Sequence, residues 1–138
     1  MTEEDKNLLI QDLCARLPYN IKVWHEDGIF NIDSISSIYG EIHLDIIDNY
    51  TIDVSEVKPY LFPLSSMTEE QKKFFKDRPI FLDSENELVV KEDFFGNSRF
   101  TMLEDWMEVI LWLVKNHFDY RGLIPKGLAI DCTNLNIY

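Results

Sequence analysis

The sequence predicts an α+β fold in which a small antiparallel sheet packs with about three helices. Apolar residues recur at helical spacing near both ends of the chain, whereas over residues 19–64 they alternate with polar residues at a period of two. With 138 residues, 46% of them hydrophobic, the chain is long enough for one core and too short for two large ones. We therefore expect a single domain over 1–138, with a strand-rich part at 19–64 and a core helix and packed tail at 98–138.

The first helical segment covers residues 2–17. Thr2 is a residue type preferred at helix N-caps, and Leu9 and Leu13 lie four residues apart on one face. Cys14 lies next to these leucines in the apolar pattern. We therefore expect Cys14 to be a buried, inert thiol.

Two more helices are expected in the second half of the chain. Thr68 and Gln71 form a capping box at the start of a short helix over 68–78. The densest apolar run predicts a helix over 101–117, with Thr101 at its cap. Because this run is wider than a single stripe, we expect the helix to contact other elements on two sides and to lie centrally in the core.

Short antiparallel strands are expected between the first two helices. Turn residues at 27–28 and 48–49 each separate two alternating segments, which predicts two hairpins. These four strands, with a short helical turn near 55–58, suit an SH3-like barrel, although a plain four-stranded meander packed under helices would give the same pattern. A further, less regular hairpin is expected between 80–82 and 88–90.

The net charge narrows the range of partners. The chain has 25 acidic and 13 basic residues and a formal charge of −12, which disfavours direct binding to nucleic acid phosphates. An acidic surface can be merely solubilising, can dock on a basic protein surface, or can mimic DNA phosphates towards a DNA-binding protein. The carboxylates predicted to form such a face lie on or between the strands: Asp33, Glu41, Asp45, Asp48 and Asp53.

The sequence has no signature of a catalytic or cofactor site. His25, His43 and His117 lack the spacing of metal ligands, and the two cysteines do not form a CxxC pair. Glycine-rich phosphate-binding strings and the GxSxG string are absent. We therefore expect no cofactor, no metal and no catalytic residue. A carboxylate-dependent hydrolase built on the acidic strand residues remains an alternative.

The location of the protein follows from features that the sequence lacks. The first residues are acidic and do not form an export signal, and no stretch reaches the roughly 18 apolar residues of a membrane span. Two isolated cysteines fit a reducing compartment. We expect a cytoplasmic protein that does not enter the membrane.

His117 is expected at the end of a helix, where an imidazolium would interact favourably with the carbonyl dipoles.

Three segments resemble other proteins. Residues 11–19 read QDLCARLPY, residues 57–71 read VKPYLFPLSSMTEEQ, and residues 116–129 read NHFDYRGLIPKGLA. These strings resemble an uncharacterised family of short proteins encoded by Bacteroides and their phages or prophages. The resemblance implies a small accessory protein of a gut bacterium or its mobile elements, and it carries no assigned activity.

The same strings place Arg16 on an expected functional surface and supply a second set of candidate partner-binding residues: Lys58, Tyr60, Asp119, Tyr120 and Arg121. Together with the acidic strand face, they form the basis of our leading hypothesis, a non-enzymatic module that engages a basic partner protein. A homo-oligomer subunit is the other alternative, because the apolar tail and the broad apolar helix are both suited to a dimer interface.

Overall fold

The computed structural model describes residues 1–45, 51–90 and 99–138, and it describes the side chains of all of these except 99–102. The described chain has three α-helices: α1 (Glu3–Arg16), α2 (Glu69–Lys72) and α3 (Arg99–Lys115). It has nine strands: β1 (Lys22–His25), β2 (Gly28–Ser36), β3 (Glu41–Leu44), β4 (Ile52–Asp53), β5 (Lys58–Pro63), β6 (Ile80–Leu82), β7 (Leu88–Val90), β8 (Phe118–Asp119) and β9 (Ile130–Asp131). The predicted α+β class is confirmed.

Seven of these strands form one mixed sheet. Strands β1 to β4 make an antiparallel meander in chain order, and β5 pairs antiparallel with β1. The two tail strands, β8 and β9, run parallel to β5. Strands β6 and β7 form a separate antiparallel hairpin, as the sequence predicts.

The SH3-like barrel is not confirmed, because the meander stays open. A barrel closes only when its last strand pairs with the opposite edge of the sheet. Here β5 pairs with β1 and with the tail strands, and β4 ends the order of the described strands. The open meander, the other architecture that the alternating pattern allows, is the one observed. The pattern within 19–64 does not reveal this outcome, because two of the three strands that pair with β5 lie beyond residue 117.

The first hairpin forms, but its turn lies one residue earlier than the predicted turn at 27–28. Strands β1 and β2 are joined through Glu26 and Asp27, whose φ angles of 45° and 62° are those of a type I′ turn. Gly28, the first residue of β2, pairs with His25, the last residue of β1. The predicted turn at 48–49 lies outside the described residues, although β3 and β4 pair antiparallel as expected.

Two apolar clusters form the core. One lies between α1 and the meander and includes Leu9, Leu13, Val23, Ile42 and Leu61. The other gathers side chains from α3, the α2 region, the β6–β7 hairpin and β8. The two long helices therefore each pack mainly on a cluster of their own.

The ends of α1 and α3 differ in how well the sequence predicts them. The Thr2 hydroxyl accepts a hydrogen bond from the Asp5 amide at 3.0 Å, which confirms the cap of α1. Helix α3 begins at Arg99, so Thr101 lies inside the helix and the prediction that it caps α3 is wrong.

Among the described residues, no helix is both long and apolar enough to cross a membrane.

Two details of the helices correct the sequence analysis. The predicted helix over 68–78 is shorter, because α2 gives way to a 3₁₀ turn at Lys73–Phe75, although its capping box is present. Cys14 is exposed, so the prediction of a buried thiol there is wrong. Leu13 and Arg16 point inward from α1, and this rotation turns position 14 towards solvent.

The tail packs against the sheet, as its apolar composition predicts. Leu123 and Cys132 are buried, and burial raises the pKa of the Cys132 thiol to about 11. The Tyr138 hydroxyl accepts a hydrogen bond from the Lys22 amide at 3.0 Å and donates one to the Tyr60 carbonyl at 2.8 Å. The tail is thereby joined to both β1 and β5.

Candidate functional site

Helix α3 is apolar around most of its circumference, and the rest of the chain covers only part of it. Val109 and Leu113 are fully buried on its inner side. On another side, Leu103, Met107 and Leu111 lie at four-residue spacing and are 59%, 64% and 45% exposed. The prediction that this helix lies centrally in the core is therefore wrong. We call these three side chains the α3 stripe.

Next to the α3 stripe lies an open apolar groove of about 730 Å³ between α3 and the end of α1. Met107, Leu111 and Ile110 line it from α3, and Ala15 and Pro18 line it from the other side. A contiguous exposed apolar surface of this kind usually marks an interaction site. The groove is the most distinctive surface feature of the described chain.

The groove exists because α1 stops short of the length of α3. Helix α1 ends at Arg16, and a 3₁₀ turn containing Pro18 follows it. Proline has no amide hydrogen and cannot continue an α-helix beyond its first turn. Asn20 then has a φ of 57°, and the chain turns away into β1. No further residue of α1 extends along α3.

The rim of the groove carries opposite charges at its two ends. Glu104 and Glu108 lie one turn apart on α3 and both border the groove. At the other end, the Lys115 ammonium lies 5.7 Å from the centre of the Tyr19 ring, which also lines the groove. Glu104 and Glu108 are the sixth and tenth of the 17 residues of α3, and Lys115 is the last.

The carboxylate of Glu108 is already paired within the chain. Its Oε2 lies 2.5 Å from Nη1 of Arg78. Arg78 also donates from Nε to the Phe74 carbonyl at 2.8 Å and lies 4.2 Å from the centre of the Phe74 ring. Three contacts thus fix the guanidinium in place beside Glu108.

A buried ionic cluster holds the end of α1 beside the groove. Asp12 and Arg16 are both 0% exposed, and Arg16 Nε lies 2.8 Å from Asp12 Oδ2. Arg16 Nη2 also donates to the Phe118 carbonyl at 2.6 Å. Arg121 Nε lies 3.3 Å from Asp12 Oδ1, and the Tyr120 ring contacts both guanidinium groups. The cluster ties α1 to the segment that follows α3.

The sequence analysis did not single out Asp12, and its expectation that Arg16 lies on a functional surface is wrong, because Arg16 is fully buried. The signal was present, because an acidic and a basic residue four positions apart share the face that carries Leu9 and Leu13. A charge pair on the apolar face of a helix indicates a buried ion pair. The distant partner Arg121 could not be inferred, since only tertiary packing brings it to Asp12.

The second set of candidate residues separates into buried and exposed members. Tyr60 and Asp119 are buried, and the Asp119 carboxylate accepts hydrogen bonds from the Leu123 and Ile124 amides at 2.9 Å each. Their contacts are internal, so these two residues are not available to a partner. Tyr120 and Arg121 belong to the ionic cluster, and Lys58 is exposed on β5.

The predicted acidic face is partly neutralised. Glu41 and Asp53 are cross-strand neighbours on β3 and β4. Lys6 of α1 pairs with Asp53 at 3.0 Å. Hydrogen bonding from Ser55, followed by the contact with Lys6, holds the pKa of Asp53 below its usual range. A row of carboxylates that mimics DNA phosphates would be interrupted by this lysine.

The remaining strand carboxylates lie apart. Asp33 is exposed at an irregularity of β2 and has no cross-strand partner there. Asp45 accepts two hydrogen bonds from Asn31, each at 3.3 Å. Asp48 lies outside the described residues. The small depression on this side of the sheet contains Glu41 as its only described carboxylate, so it does not supply the pair that a hydrolase would use.

His117 is a neutral residue at the end of α3. Burial, followed by the positive charges of Arg16 and Lys22, lowers its pKa to about 4. Its ring stacks on Tyr138 with 3.7 Å between the ring centres. The expectation of an imidazolium that interacts with the carbonyl dipoles is therefore wrong.

This lowered pKa predicts a loss of stability in mild acid. Unfolded His117 binds a proton near its ordinary pKa of 6.5, whereas the folded protein resists protonation until about pH 4. The stability that the neutral ring contributes is fully present above about pH 6.5, and it is lost as the pH falls from there to about 4. We expect a loss of about 1 to 2 kcal/mol, since solvent screens a partly exposed ring.

Urea unfolding of the wild type and of His117→Asn, at about pH 7 and about pH 4.5, measures this effect. Asparagine suits the position because His117 has a φ of 63°, which asparagine tolerates. The wild type should lose more stability on acidification than the variant does. Equal losses in the two proteins would contradict the assignment.

Among the described residues, no group of three or more His, Cys, Asp and Glu side chains is placed to hold a metal ion.

Comparisons with protein-family models, with curated proteins and with solved structures found no match. The groove and the charges around it are therefore the features of the described chain that point to a function.

Proposed function

We propose that this protein is a non-enzymatic binding module whose groove between α1 and α3 takes a helical segment of a basic partner protein. The observation that carries the proposal is the α3 stripe, three large apolar side chains left exposed beside an apolar groove. Apolar grooves of this kind bind the apolar face of an amphipathic helix. The net charge of −12 favours a partner of opposite charge.

The dimensions of the groove suit a short helix. Its lining on α3 runs from Glu104 to Val114, a rise of about 15 Å at about 1.5 Å per residue. A partner helix of about three turns would cover this length. A small molecule fits less well, because such ligands are usually about 70 to 90% enclosed, whereas Met107 on the groove wall is 64% exposed.

A second copy of the chain is the other candidate occupant, since the α3 stripe could pair with itself. Charge disfavours it, because each copy carries −12 and the two would repel. We expect light scattering at moderate salt to show a monomer of 16.3 kDa. A concentration-dependent dimer that Met107→Asp abolishes would favour the structural-subunit alternative instead.

The setting of this function follows from the resemblance described above. We place the module in the cytoplasm, as an accessory protein of a phage or mobile element. Exposed charges outside the groove, namely Asp33, Asp45 and Lys58, are further candidate contacts for the same partner. The groove would supply most of the affinity, while outlying charges would mainly affect the association rate.

The test is a binding titration with three fluorescent synthetic helices that share one apolar face. Their polar positions carry lysine, glutamine or glutamate. We expect binding to weaken in that order, and we expect Met107→Asp/Leu111→Asp to lower the affinity for the lysine helix at least about tenfold, a loss of about 1.4 kcal/mol. Ile38→Asp is the matched control, because Ile38 is 87% exposed in the turn between β2 and β3 and lies outside the groove lining.

Two results would contradict the proposal. One is the absence of binding to any of the three helices. The other is equal affinity in the groove variant and the wild type. The groove variant should lose no more than about 2 kcal/mol of stability, because Leu111 is more than half-buried and aspartate is a poorer helix former than leucine or methionine. A large loss of stability would show that the groove is an internal contact of the chain.

A further inference from the structure

The charges at the two ends of the groove differ in a way that fixes the direction of its occupant. We infer that the partner helix lies with its basic residues beside Glu104, in the second turn of α3, and with its less basic end beside Lys115. This inference rests on the proposed function. It adds the orientation of the partner, and it assigns different roles to the two glutamates on the rim.

Glu104 is the carboxylate available to a partner. Glu108 is held by Arg78 at 2.5 Å, and that arginine is fixed in turn by the carbonyl and ring of Phe74. Among the residues whose side chains are described, no cation lies at ion-pair distance from Glu104. A basic residue of the partner would therefore gain more beside Glu104 than beside Glu108, where it would have to compete with Arg78.

The helix dipole of α3 does not cancel this preference. The positive end of the dipole acts mainly within the first turn of a helix. Glu104 lies five residues after the first residue of α3, Arg99, and therefore beyond that turn. The charge of the carboxylate itself dominates at this position.

The opposite end of the groove repels a basic residue. Lys115 lies at the end of α3, over the Tyr19 ring. Eleven residues of helix separate it from Glu104, which corresponds to about 16 Å. This separation exceeds the Debye length of about 8 Å at physiological salt, so a partner charge interacts mainly with the nearer end.

The test uses two peptides of identical composition, with the lysines gathered at the N-terminus of one and at the C-terminus of the other. Each peptide carries a nitroxide label at its lysine-rich end, and the broadening of backbone amide signals in the protein is measured. We expect stronger broadening at Asp105–Glu108 than at Lys115 for both peptides. The two peptides should therefore bind in opposite chain directions.

The matched variant is Glu104→Lys/Lys115→Glu, which exchanges the two charges and leaves the net charge at −12. It should move the stronger broadening to the end of α3. In a separate titration, Glu104→Gln should weaken binding about threefold to fivefold, and Glu108→Gln/Arg78→Met, which removes a pair with no net charge, should have little effect. Arg78→Met alone should strengthen binding, because it leaves the Glu108 carboxylate unpaired.

The possible outcomes distinguish a failure of the inferred orientation from a failure of the proposed function. Binding that depends on Met107 and Leu111, but with equal broadening at both ends or no reversal in the exchanged variant, would overturn the orientation and leave the proposed function standing. A lack of peptide binding at the groove would overturn both. Equal losses for Glu104→Gln and Glu108→Gln/Arg78→Met would contradict the role given to Arg78.

Discussion

Replacing Arg16 with methionine is expected to destabilise the fold by about 3 to 5 kcal/mol, the usual cost of removing one partner from a buried ion pair. The substitution leaves the fully buried Asp12 carboxylate with Arg121 at 3.3 Å as its remaining described ionic partner. It also removes the Arg16 donor from the Phe118 carbonyl. Urea unfolding should show a lower midpoint with an unchanged slope.

Two further variants separate burial from the mere loss of a positive charge. Arg78→Met removes a partly exposed arginine from its carboxylate, and we expect it to cost about 1 kcal/mol or less. Arg16→Met/Asp12→Leu removes both members of the buried pair, and it should recover part of the stability lost in the single variant. If Arg16→Met and Arg78→Met cost the same, the buried cluster would not have the role described here.

Replacing Trp112 with alanine is the second large effect expected, again about 3 to 5 kcal/mol. The indole stacks on the Phe74 ring at 4.4 Å and on the Phe118 ring at 5.7 Å, and it meets the Phe75 ring edge to face at 5.9 Å. It therefore joins α3 to the α2 region and to β8. Its removal would leave a cavity and would also break three aromatic contacts.

Leu111→Ala is the matched control for Trp112→Ala. Leu111 directly precedes the tryptophan on α3, but it is 45% exposed on the side that faces the groove. We expect its replacement to cost about 1 kcal/mol or less, because little buried surface is lost. A loss for Leu111→Ala close to that for Trp112→Ala would indicate that the α3 stripe is covered in solution.

Local patterns predicted the elements of the fold well, and their limits have physical causes. The Thr2 cap, the turn at Glu26 and Asp27, and the β6–β7 hairpin follow from residues close together in the chain. The pairing of β5 with β8 and β9 joins segments more than 50 residues apart. Short-range periodicity contains no information about such pairings, so an open sheet and a closed barrel could not be separated.

The candidate site was likewise predicted where local patterns determine it and missed where tertiary packing does. Periodicity correctly identified α3 as unusually apolar, but it could not show which of its sides the chain would cover. Trp112 is covered by aromatic rings from the 3₁₀ turn after α2 and from β8, whereas Met107 is not. The acidic strand face was inferred from alternation, and its partial neutralisation by Lys6 depends on the packing of α1 against β4.

The chain offers a direct reporter for the central claim that the groove is the binding surface. Met107 lies in the groove, whereas Met67 is buried in the cluster around α3. With carbon-13 in the methionine methyl groups, titration with the lysine-bearing helix should shift the Met107 signal in a saturable manner and leave the Met67 signal in place. Saturable binding of that helix without any shift at Met107 would contradict the claim.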